Sequence, residues 1–205
     1  MFETLKQLLG VGAESAATRD ADPEDLFGMS TAYLTMEADL GFAPTGDAAL
    51  CFASVDSTAF NDVVTDVEAI LETGEDTGTV ADIREDSYGY QWVVVGARDF
   101  EDLVTTVHFA SDTLIEGEFG SRLLAAVFAF EATDRASADT GQSAYWVYSF
   151  RRGSFYPFVP VSTSERDSSV EFTLESVLDG ELDVEDDQEY WYALWPDNPR
   201  THPWQ

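Results

Sequence analysis

The side chains that carry most protein chemistry are scarce in this chain. It has one cysteine, Cys51, and two histidines, His108 and His202. A lone thiol closes no internal disulfide and cannot by itself build a thiolate zinc cluster. Cys51 lies in the apolar run from Ala48 to Ala53, where a buried structural thiol is expected. His108 falls beside a helical apolar stripe, and His202 sits in a proline-flanked tail. There is no HExxH spacing, no histidine pair and no Cys/His cluster, so no metal site is expected. The Gly-x-Ser-x-Gly elbow and the phosphate-cradling glycine patterns are absent as well, and no cofactor is expected. Carboxylates are plentiful, with 40 Asp and Glu in 205 residues. At that density paired acids arise by chance, and no spacing selects a hydrolytic pair. The residues therefore read as those of a non-enzyme.

One segment stands out: YWVYSFRRGSFYPF, from Tyr145 to Phe158, sets two adjacent arginines among seven aromatics. In its structural reading this is a hairpin turning at Arg152-Gly153, with aromatics in the core and arginines pairing nearby acids. In its functional reading Arg151, Arg152, Tyr156 and Phe158 form a partner-binding face, since Arg and Tyr are enriched at interface hot spots. The two readings can share the strand, one on each face.

The elements that would position this segment follow from periodicity. Phe2, Leu5, Leu8 and Leu9 fall near one helical face, and a polar linker follows, so residues 1–22 read as an amphipathic helix and acidic linker. Residues 23–205 read as one α+β domain with an aromatic tail. Asp22-Pro23 starts a helix, and a second start at Ser30 runs toward Leu40 with Gly41 as its stop. Ala48 to Val55 reads as a strand, and Asp56-Ser57 caps a helix carrying Phe60, Val63, Val64, Val67, Ile70 and Leu71. Two strands around Asp86-Ser87-Tyr88-Gly89 form a hairpin, and Asp99 opens a helix with Phe100, Leu103, Val104 and Val107. Leu123 to Phe130 reads as a central strand, Ser143 to Phe150 as another, and Phe155 to Val161 as an edge strand because of Pro157 and Pro160. A helix over 168–178 precedes a tail with Trp191, Trp195 and Trp204. The expectation is an antiparallel or mixed sheet of about five strands, packed by helices on one face.

Charge narrows the setting. Forty acids face ten bases, for a formal charge of -30, and Lys6 is the single lysine. Such self-repulsion opposes compaction at ordinary ionic strength and is screened in concentrated salt. The aromatic content places this acidity on a folded body rather than a disordered tail. Adaptation to a salty cytoplasm, as in halophilic archaea, is the reading preferred over nucleic-acid mimicry or cation buffering. No basic stripe exists to replace counterions, so nucleic-acid binding is not expected. No apolar run reaches the length of a bilayer span and no signal pattern opens the chain. The expected location is cytoplasmic.

The segment YSFRRGSFYPF, over 148–158, resembles the arginine-glycine and Phe-Tyr-Pro-Phe block of the PspA-associated family PspAB. GFAPTG at 41–46 with Cys51-Phe52, DSYGYQW at 86–92, Asp102-Leu103-Val104, the stretch from Gly117 to Phe130 and the Trp191 to Trp195 tail also resemble that family, in its order. The resemblance covers the chain from about Asp22 onward, with a longer acidic N-terminal linker and thinned basic residues. It implies an accessory role in the phage-shock envelope-stress response beside PspA, a membrane-remodelling protein, and archaeal relatives keep company with HtpX-like membrane metalloproteases. A PspA-like protein or an HtpX-like protease is thus the implied partner, with location at the membrane only through that partner. The resemblance carries over no catalytic residue. A secretion-chaperone-like architecture is expected by analogy alone. A client-holding chaperone and a carboxylate hydrolase stand as alternatives; oligomeric state is left open.

Overall fold

The computed structural model of the chain describes residues 21–73, 79–86, 88–196 and 201–205. The amphipathic stretch over 1–9 and nearly all of its linker lie outside the described residues. Asp22 does cap the start, its carboxylate accepting from the Glu24 N–H at 3.0 Å. The helix expected there is a six-residue 3-10 segment, Pro23–Gly28, which runs directly into α1, Met29–Ala38. Gly41 then turns the chain at φ +74, and a Cβ at that position would stand 2.6 Å from the Ala136 backbone nitrogen. No other residue type fits both the left-handed dihedral and that approach.

The strands are β1 Phe42–Ala53, β2 Val80–Glu85, β3 Tyr90–Gly96, β4 Leu123–Ala132, β5 Ser143–Ser149 and β6 Ser154–Phe158. The helices between and after them are α2 Thr58–Thr73, α3 Phe100–Glu116 and α4 Ser168–Leu178. All six strands pair antiparallel in the order β2-β3-β1-β4-β5-β6. β1 begins six residues earlier than the apolar run suggests. Its leading half carries Pro44, Gly46 and Asp47, and the β1–β4 register shifts between Pro44 and Ala48. A bulge of that kind lets an irregular sequence stay in a sheet.

Alternation along the strands divides the interior in two. On the helix side, Leu50, Phe52, Val93, Val95, Phe128, Phe130, Trp146 and Tyr148 pack with Met36, Leu71, Val104, Val107 and Leu174. On the other side, Cys51, Trp92, Val127, Tyr145, Val147, Tyr156 and Phe158 pack with Trp191, Tyr192, Leu194 and Trp204 from the tail. Helices do cover one face, as the sequence suggests. The second face is dry as well, because the aromatic tail lies across it. This explains the burial of β4 from Leu123 to Phe130 and of β5 from Ala144 to Ser149, which read as largely apolar runs rather than alternating ones.

Candidate functional site

The β5–β6 hairpin turns where its sequence implies. Gly153 takes φ +64, and both the Arg152 and Gly153 N–H groups donate to the Ser149 carbonyl at 3.1 and 2.8 Å. Of the four residues in the functional reading, Arg152 is 3% exposed and Tyr156 and Phe158 are fully buried, so these three offer no face to a partner. The physical reason is the tail. Tyr156 and Phe158 point to the sheet face that Trp191, Tyr192, Leu194 and Trp204 cover. Arg152 has found an acid close by, as the structural reading of the segment supposes.

That acid is Glu185. The Arg152 guanidinium donates to it through two nitrogens, at 2.7 and 2.9 Å, while the face of the same group stacks 3.8 Å from the Tyr190 ring centroid. Ser154 and the Asp187 N–H also donate to the Glu185 carboxylate, and the Trp191 indole donates to its carbonyl at 2.8 Å. Burial pushes the Glu185 carboxyl up, but the Arg152, Asp187 and Ser154 hydrogen bonds outweigh it and hold the group below its ordinary value.

A second clamp lies at the other end of β6. Glu171, 1% exposed on α4, accepts from Arg166 Nε at 2.8 and 2.9 Å and from the Val159 N–H at 2.7 Å. The remaining Arg166 nitrogens donate to the Trp191 and Pro157 carbonyls. One guanidinium thus joins β6, α4 and the tail. Among the described residues, Glu171 and Glu185 are the buried carboxylates, and both are committed to these bonds.

Charge clues in the sequence are weak for Glu171 and Glu185, which are two acids among forty. Arg166 is different. With ten bases in the chain, each arginine is a scarce group, and that scarcity was the available signal for its role.

Arg151 is the expected site residue that reaches the surface. It is half-buried, and its Nη2 donates to the Ser121 carbonyl at 2.8 Å. It lines an open groove of about 300 Å³ with Ala21, Ile115, Gly120, Leu123 and Phe150. Ile115, 38% exposed at the end of α3, and Phe150 at the hairpin turn give this groove an apolar wall beneath a cation. The arrangement suits a ligand that offers apolar contact to the wall and a polar group to the rim.

The histidines behave as single residues. His108 is 7% exposed, with Nε2 at 3.2 Å from Glu24 and its ring 4.7 Å from Phe27. His202 stacks on Trp204 at 4.6 Å, and its Nδ1 faces the Tyr145 hydroxyl at 3.1 Å. Among the described residues no cluster of His, Cys, Asp or Glu could hold a metal ion, and no helix is long and apolar enough to cross a membrane. Burial pushes the Cys51 thiol up, as for an inert core cysteine.

The family model described as PspA associated protein B matches residues 2–204. No curated protein and no solved structure matches the chain.

Proposed function

Because the chain belongs to the PspA associated protein B family, we propose that it is a non-enzymatic accessory protein that binds a PspA-like partner in the envelope-stress response. The family name supports the partner. The groove around Arg151 supports the mode, since it is a concave surface combining one of ten basic residues with apolar walls from Ile115, Leu123 and Phe150. Two buried carboxylates already bound by arginines leave acid–base chemistry with no buried acid to use among the described residues. In this reading Arg151 forms the polar rim of the groove, while Ile115, Leu123 and Phe150 take up apolar residues of the partner.

The test is co-purification from salt-grown cells of wild type and an Arg151→Ala variant. Recovery of a PspA-like protein with wild type, and its loss with the variant, supports both partner and groove. Equal recovery with the variant removes the groove but keeps the partner. Recovery of an HtpX-like membrane protease in place of the PspA-like protein turns the reading toward a protease regulator, and recovery of neither ends the adaptor reading.

A further inference from the structure

The two edges of the sheet end differently. Along β6, the Phe155 N–H donates to the Asp183 carbonyl and the Glu185 N–H donates to the Phe155 carbonyl, both at 2.8 Å, so residues 183–185 close that edge. β2 is the opposite edge, paired with β3 on one side and with no strand on the other among the described residues. A groove of about 370 Å³ runs along it, lined by Ala81, Asp82 and Ile83 of β2 and by Glu68, Leu71 and Glu72 of α2. Side chains alternate faces along a strand, so three consecutive lining residues mean that the groove follows the strand's backbone edge. α2 supplies the other wall of this groove through Glu68, Leu71 and Glu72. Ala81, Ile83 and Leu71 belong to the helix-side core and supply an apolar floor.

We propose that this edge takes an extended segment of a partner chain as an added strand, apolar at alternate positions and basic where it passes α2. Strand addition of this kind takes affinity from main-chain pairing and selectivity from the alternate side-chain pockets. The basic character follows from the rim. Glu68 and Glu72 are four residues apart on one helical face, both exposed, and no cation lines the groove with them. Like charges at that spacing repel, and a cation between them relieves the repulsion. Asp82 is already occupied by Arg84, whose Nε lies 2.8 Å from it, so the call for positive charge comes from α2. A second copy of this chain fits worse. Pairing β2 with β2 would bring two such rims together on chains that each carry a formal charge of -30. The site is separate from the Arg151 groove, and its success or failure leaves that reading untouched.

The experiment uses the full chain at the lowest salt at which it stays folded. Three synthetic peptides are titrated: alternating Lys-Val, alternating Glu-Val, and a blocked peptide of the same Lys and Val composition. Binding is followed by fluorescence anisotropy and by hydrogen exchange with mass spectrometry. The expected result is that the alternating Lys-Val peptide binds best and slows exchange of the amides over 80–85. Glu68→Lys/Glu72→Lys, at exposed helix positions that leave the core intact, should weaken it by about tenfold, the loss of two exposed ion pairs. The proposal is overturned if residues 80–85 gain no protection, if the Glu-Val or blocked peptide binds equally well, or if the double variant binds as wild type does. It is also overturned if 80–85 become protected without peptide as the chain dimerises.

Discussion

Removing the Arg152 guanidinium would strand the Glu185 carboxylate, whose side chain is 6% exposed. An unpaired buried charge of this kind costs about 3–5 kcal/mol, so Arg152→Ala should lower unfolding free energy by that amount in denaturant melts at fixed salt. Arg151→Ala, one residue away, strands neither of the two buried carboxylates and should cost less. Equal losses in the two variants would mean that the Glu185 clamp is not holding the tail. The neighbours share a residue type and differ in surroundings. Arg152 faces the tail side of the hairpin, while Arg151 faces the groove beside α3.

At the scale of elements, the C-terminal tail acts as the second layer of the sandwich. Its last described turn, residues 201–205, sets Trp204 within 6.1 Å of the Tyr145 ring and 6.4 Å of the Trp92 ring. His202 joins the same stack as a neutral ring. Burial drives the Tyr145 phenol up to about 12, and its hydroxyl lies 3.1 Å from His202 Nδ1. Burial also lowers the His202 pKa, against an opposing pull from Asp47. A histidine whose folded pKa lies below its ordinary 6.5 contributes stability that is full above that value and is lost as pH falls through the folded one. The thermal midpoint should therefore fall as pH drops below the ordinary histidine value, and His202→Gln should remove that part of the dependence. A pH profile unchanged by the substitution would show that the tail does not hold its histidine neutral.

For the molecule as a whole, a formal charge of -30 on 205 residues sets self-repulsion against compaction. Raising KCl from about 0.1 M to about 1 M shortens the Debye length from about 10 Å to about 3 Å, and self-repulsion fades with it. The thermal midpoint should climb over this range, because the acids are spread along the chain while the two arginine clamps are buried and screened far less. A flat response would mean that the acidity is not a burden on the compact state, and would undercut the salt-adapted reading.

Most of the elements were legible because they rest on local signals. The apolar spacing of Phe100, Leu103, Val104 and Val107 marks α3, and the runs through Phe128 and Trp146 mark strands. Pro157 marks β6 as an edge, since a residue without an N–H is tolerated there. The aromatic-arginine segment was legible as a hairpin for the same reason. Whether its side chains faced solvent was not, because nothing local to residues 145–158 says what lies over them. That depended on a tail more than thirty residues away and on Glu185 and Glu171, acids indistinguishable in the sequence from dozens of others. The sequence by itself determined most of the strands and helices, though not the early start of β1 at Phe42, and it determined the acidic charge. Only the tertiary structure decided which arginine is core and which is surface, since burial and ion pairing belong to residues brought together from distant parts of the chain.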